Sequence, residues 1–178
     1  CRTYHHFFPS VGLMARAGKV QLMLNYGMKI MRPYYFMLSG NTTYANRFTW
    51  NRGNPMLQPS VVNSLSVMAM WRWMSVMLDY KRTNDVIVNV GEAVPGSEET
   101  TIITRDNVDH ADAFRAMVSL NPQFGIYQPR LTMGLLKDWV KIPSPVGFIS
   151  PKRPIFLVQW NNNFQIMPTL TAQANLAF

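Results

Sequence analysis

Across residues 20–30 every even-numbered position is apolar: Val20, Leu22, Leu24, Tyr26, Met28 and Ile30. A period of two puts these side chains on one face of an extended chain, so the segment is predicted to be a strand. The chain closes on the same pattern. Phe164, Ile166, Leu170, Ala172, Ala174, Leu176 and Phe178 share one parity, Gln165, Thr169, Thr171, Gln173 and Asn175 oppose them, and Pro168 marks a bulge or an edge. Residues 34–38, 44–50, 85–90, 100–105, 124–127 and 154–160 are further strand candidates. Turn-forming runs separate them, among them Ser39-Gly40-Asn41, Asn51-Arg52-Gly53-Asn54-Pro55, Pro95-Gly96-Ser97 and Asn161-Asn162-Asn163.

Two segments read as helical. Ser60 follows Pro59 and is placed to cap a helix over residues 61–77, where Val61, Leu65, Met68, Trp71 or Arg72, and Ser75 recur at i+3 and i+4 spacing. That helix is apolar all round, which implies burial or a partner. A shorter helix is expected over residues 110–117, with Asp109 and Asp112 early, Arg115 late and Pro122 as its stop. Many short strands with two inserted helices describe an all-β sandwich better than alternating β and α units. With no internal repeat or linker, residues 1–178 read as one domain, and residues 1–19 as an N-terminal arm.

Composition adds an asymmetry. Up to Leu78 there are eight basic residues and no Asp or Glu; from Asp79 onward nine basic face nine acidic, so the whole formal charge of +8 lies in the first part. Ten of the thirteen methionines fall there too. With 48% hydrophobic and 15% charged residues, against about 25% charged in ordinary soluble domains, the chain is expected to bury surface against partners. Cys1 is the one cysteine, which excludes an internal disulfide framework. No signal-peptide core is expected at the start, and no apolar run reaches the length of about 18 residues that a membrane helix needs. A transmembrane role is therefore not expected.

Catalytic constellations are absent from the sequence: no phosphate loop, no nucleophile elbow, no His-Glu-x-x-His. His110 between Asp109 and Asp112 is too local a group for a metal, so no enzyme activity, metal or cofactor is expected. The cations are the remaining lead. Arg2, Arg16, Lys19, Lys29 and Arg32 are candidate nucleic-acid contacts, because positive side chains beside aromatic ones neutralise phosphates and stack on bases. Trp71 and Trp73 around Arg72, with Phe7 and Phe8 in the arm, are candidate subunit contacts.

The stretch Met77-Leu78-Asp79-Tyr80-Lys81-Arg82-Thr83-Asn84-Asp85-Val86-Ile87-Val88-Asn89-Val90 resembles the helix-to-strand passage of single jelly-roll capsid proteins of small circular single-stranded DNA viruses and related small icosahedral viruses. Arg105-Asp106-Asn107, the short helix around Ala113-Phe114, Tyr127-Gln128-Pro129-Arg130 and the closing strand continue the likeness. The resemblance implies an antiparallel eight-stranded jelly-roll sandwich that self-assembles from many copies into a shell in the virion, around a single-stranded genome. The alternative is an accessory structural subunit of a mitochondrial membrane complex or ribosome, to which the acidic-poor N-terminal half points.

Overall fold

Period-two alternation governs far more of the chain than its sequence suggests. In the computed structural model, which describes residues 7–94, 97–144, 147–151, 153–167 and 170–177, the strands are β1 (Ser10–Ala17), β2 (Val20–Met31), β3 (Thr42–Asn46), β4 (Thr49–Arg52), β5 (Ser60–Trp71), β6 (Met74–Val94), β7 (Ser97–Leu120), β8 (Tyr127–Val140), β9 (Ile142–Ser144), β10 (Gly147–Ile149), β11 (Ile155–Met167) and β12 (Leu170–Ala177). The main sheet runs β1-β2-β5-β6-β7-β8-β11-β12, every neighbour antiparallel. The β3–β4 hairpin joins its side through β4, which pairs parallel with β7 from Thr49↔Thr101 to Asn51↔Ile103. Strands β9 and β10 form a separate hairpin.

This meander is all-β, as expected, but it is not a jelly roll. A jelly roll needs connections that carry the chain between two packed sheets; here consecutive long strands lie side by side. The expected helices are also strands. Residues 61–77 are β5, a two-residue turn at Arg72-Trp73, and the start of β6. Val61, Leu65, Val67, Ala69 and Trp71 occupy one face while Val62, Met68 and Met70 occupy the other, so apolar residues of both parities hid the alternation and left chance i+3 spacings. Arg72 takes φ +47 in the turn. Residues 110–117 lie within β7, paired with β6 throughout and with β8 from Ala111 onward.

Three strand assignments are corrected as well. Residues 34–38 hold a 3-10 turn, Tyr35–Met37, and residues 124–127 a tight turn closed by the Phe124↔Tyr127 bridge. The segment 44–50 is a hairpin, with the Phe48 N–H donating to Asn46 Oδ1 at 2.9 Å in its turn. Within the expected arm, β1 is paired with β2 along its whole length, from Ser10↔Gly27 to Ala17↔Val20.

The two ends of the sheet differ. At one end the links are short: Gly18-Lys19 between β1 and β2, Arg72-Trp73 between β5 and β6, and residues 121–126 between β7 and β8. At the other end residues 32–59 join β2 to β5 and residues 141–154 join β8 to β11. Strands β6 and β7, with 21 and 24 residues, also run past their neighbours here: the β5 pairing stops at Asn84 and the β8 pairing at Ala111. The buried side chains among the described residues are Leu57, Ser60, Val62, Ile102, Thr104 and Val108. They gather where the 32–59 connection meets this β6–β7 extension.

Candidate functional site

Paired residues of adjacent strands share a face, so the register sorts the sheet into two surfaces. One is apolar over its middle: the lateral rows Leu13-Leu24-Val67-Leu78-Ala116-Leu135-Phe156 and Ala15-Leu22-Ala69-Val76-Val118-Met133-Val158 cross seven strands without a polar residue. Aromatic residues border it. Toward the short turns the row is Val20-Trp71-Met74-Leu120-Leu131-Trp160-Leu176. Toward the long connections it is Val11-Tyr26-Leu65-Tyr80-Phe114. From Met74 to Tyr80 the band measures about 20 Å along the strand at roughly 3.3 Å per residue. Beyond it the polar groups begin: Tyr26 Oη donates to Asn63 Oδ1 at 3.2 Å, and Tyr80 Oη donates to Asp112 Oδ1 at 2.7 Å. Each ring stays in the band while its hydroxyl reaches the next, polar row.

The opposite face carries Arg16, Gln21, Asn25, Ser64, Ser66, Asp79, Lys81, Arg115, Ser119 and Thr132. At its long-connection end lies a cavity of about 510 Å³, lined by Lys29, Arg32, Tyr34, Lys81, Asn89 and Arg105 among others, with no carboxylate in its wall. Strand β2 supplies Lys29 near its long-connection end, β6 supplies Lys81, and the extension of β7 supplies Arg105, whose guanidinium also lies 5.4 Å from the centre of the Phe36 ring. The 32–59 connection brings Arg32 and Tyr34 over this face. It is held there by Asn54, whose Nδ2 donates to the Arg105 carbonyl at 2.9 Å and whose N–H donates to the Met37 carbonyl at 2.8 Å. A second clamp is the Arg52–Glu92 ion pair at 2.7 Å. Four cations thus line one concave, partly aromatic space, whose charge is complementary to an anion.

The residues singled out in the sequence are dispersed by this fold. Lys29 and Arg32 meet in the cavity. Arg16 and Lys19 sit at the opposite, short-turn end, and Arg2 lies outside the described residues. Trp71 ends β5 and Trp73 lies in the β5–β6 turn, with ring centroids 5.9 Å apart, at the border of the apolar band. Phe7 and Phe8 precede β1, and Phe7 is 85% exposed. His110 contacts Asp109 at 2.9 Å and Asp112 at 3.8 Å. Lys81 and Arg105 were missed because they fall in the segment whose charges cancel in number. Their signal is positional: Lys81 opposes Ser64 on the polar face, a placement only the register reveals.

Comparison with known proteins explains the two-faced sheet. The model of the outer membrane protein beta-barrel family matches residues 1–178. No curated protein matches the sequence. Among solved structures, the siderophore receptor PirA from Acinetobacter baumannii superposes with a TM-score of 0.67 at 15% identity, over 96% of this chain and 28% of that one. PirA from Pseudomonas aeruginosa gives 0.66 at 14% identity, over 94% and 32%. A variant of the ferric enterobactin receptor PfeA from Pseudomonas aeruginosa, in complex with enterobactin, gives 0.60 at 15% identity, over 96% and 27%. The likeness is one of fold, and the chain spans about a third or less of each receptor's length.

These findings overturn the capsid resemblance and what followed from it: the virion, the single-stranded genome as partner, the shell of many copies, and the mitochondrial or ribosomal alternative. They also overturn the expectation that a membrane is not involved. No helix among the described residues is long and apolar enough to cross a bilayer, but strands cross one by alternation, with an apolar face toward lipid and aromatic girdles at its borders. The chain belongs to the outer membrane protein beta-barrel family.

Proposed function

We propose that this chain is a wall segment of an outer-membrane receptor barrel that captures an anionic small molecule, of the ferric-siderophore kind, at the end bearing the long connections. The observation that carries the reading is the cavity lined by Lys29, Arg32, Lys81 and Arg105 with no carboxylate, beside Tyr34. Its volume falls in the range of about 300–1,000 Å³ used by small-molecule sites. The polar face on which it opens is the side that faces a barrel's lumen, and in such barrels the long loops are extracellular and the short turns periplasmic. An anionic ligand arriving from outside would therefore meet these cations first. The solved receptors of the same fold include ones named for siderophores and ferric enterobactin, which supports a metal chelate as the ligand class. The role is capture and passage of a solute, with no chemical step assigned to any residue.

The test is tryptophan-fluorescence titration of the full-length protein in detergent with a ferric tris-catecholate, which is anionic, and with a neutral ferric trihydroxamate. Binding of the anion is expected to weaken at least tenfold in the Lys81→Glu/Arg105→Glu variant and to weaken with added salt. The neutral chelate is expected to bind poorly in both proteins. Anion affinity unchanged by the double charge reversal would sink the assignment.

A further inference from the structure

Five methionines form one unbroken lateral row. Met14 pairs with Met23, Met23 with Met68, Met68 with Met77, and Met77 with Met117, so β1, β2, β5, β6 and β7 each contribute one thioether at the same height. On β8 the row ends at Gly134, opposite Met117. The row lies on the polar face. The rows on either side of it are Gly12-Asn25-Ser66-Asp79-Arg115 and Arg16-Gln21-Met70-Ser75-Ser119-Thr132. These thioethers therefore lie outside the apolar band: they are a sulfur stripe across the opposite face, between two rows that are mostly polar. Gln21 Nε2 donates to Met14 Sδ at 3.4 Å, which shows a row sulfur acting as an electron-pair donor toward that surface.

Spacing and chemistry suit a metal. Opposed side chains on neighbouring strands start from Cβ atoms about 4.5–5.5 Å apart, and an unbranched side chain with three rotatable bonds lets adjacent sulfurs converge. Thioethers are soft, uncharged ligands that favour Cu(I)-like cations over hard ions, which prefer carboxylate and water. Asp79 stands on the same face one row from Met68 and Met77, opposite Ser66 and Arg115, and adds a carboxylate near the middle of the stripe. We propose that the methionine row is a binding site for a soft monovalent cation, Cu(I) or Ag(I), held by two or three adjacent thioethers with Met68 and Met77 at its centre. Repetition of similar ligand sets along five strands gives the ion several near-equivalent positions. The site lies on the same wall as the anion cavity but shares no residue with it, so the two stand or fall separately.

The probe is Ag(I), which does not change oxidation state, titrated against a competing chelator into the full-length protein in detergent. A Cys1→Ser/His5→Ala/His6→Ala background removes the other soft ligands near the start of the chain. That background protein is expected to bind Ag(I), and Met68→Leu/Met77→Leu to weaken binding at least tenfold. Met133→Leu, on the apolar face, is expected to leave it unchanged. Leucine is close in volume to methionine, so the sheet is kept, and circular dichroism checks that it is. X-ray absorption of the Cu(I) form is expected to show a shell of sulfur. Absence of Ag(I) binding in the background protein, or equal affinity after the double leucine change in a folded barrel, overturns the proposal.

Discussion

At the scale of single residues, the most consequential polar group is the Asp85 carbonyl. Asp85 takes φ +52 and drops out of the β6–β7 ladder, which passes from Asn84↔His110 to Val86↔Val108. Its freed oxygen accepts from Ser60 Oγ and from Asn107 Nδ2, both at 2.7 Å. Asn107 also donates to the Gln58 carbonyl at 3.0 Å and accepts from the Gln58 N–H at 2.8 Å. One side chain thus ties the end of the 32–59 connection to the β6–β7 extension. Replacing it with alanine strands several partly buried groups, at about 1–3 kcal/mol. Asn107→Ala is expected to open residues 32–59 to protease while the sheet's circular dichroism stays unchanged; a connection that remains resistant would mean that packing of Leu57 and Val62 suffices. Gly53→Ala should loosen the same connection, since an added Cβ would stand 2.2 Å from the Ser39 carbonyl oxygen and 2.7 Å from that of Met37. At Arg72 the sign reverses. A left-handed φ disfavours residues with a Cβ by about 1–2 kcal/mol, so Arg72→Gly is expected to raise the unfolding midpoint slightly or leave it unchanged.

Among the elements, legibility in the sequence followed the chemistry of the face turned away from lipid. Strand β2 was legible because Gln21, Asn25 and Lys29 contrast with its apolar partners, and β12 because Thr171, Gln173 and Asn175 do the same. Strand β5 was read as a helix because Val62, Met68 and Met70 populate its second face, so neither parity looked polar. The anion cavity was half legible: Lys29 and Arg32 stood out by local charge, whereas Lys81 and Arg105 join them only through strand pairings such as Ser64↔Lys81 and Asn89↔Arg105, which no local pattern in the sequence reveals. The two faces also make unequal demands. Leu78 lies mid-band between Val67 and Ala116, and an arginine there must enter hydrocarbon at about 2–4 kcal/mol. Ser66, on the neighbouring position of β5 but the other face, opposes Asp79 and can accept the same charge. Leu78→Arg is expected to lower the unfolding free energy in lipid vesicles by that amount and Ser66→Arg by much less. Equal losses would mean that the apolar face is not the lipid face.

For the whole molecule, the charge excess and the open edges have one explanation. The +8 read as a property of one basic region is divided by the fold, with Arg16 and Lys19 at the short-turn end, Lys29 and Arg32 at the other, and the neutral band between. That division suits a wall that spans a bilayer with its charges in water on both sides. Such a wall cannot keep an edge. Among the described residues, strand β1 pairs only with β2 and β12 only with β11, so alternate N–H and C=O groups of both strands face away from that partner. In hydrocarbon each unsatisfied group costs several kcal/mol, more than the apolar face of an eight-residue strand returns, and closure is what removes the loss. The partners of β1 and β12 must therefore come from each other or from further strands of the barrel. Hydrogen–deuterium exchange of the full-length protein in lipid vesicles distinguishes a closed wall from an open one. Amides of β1 and β12 are expected to exchange as slowly as those of β5 and β6 in the same band, whereas the Gly18-Lys19 turn exchanges fast. Rapid exchange along β1 or β12 at band height would show an edge left open, and the chain would then have to lie outside the hydrocarbon.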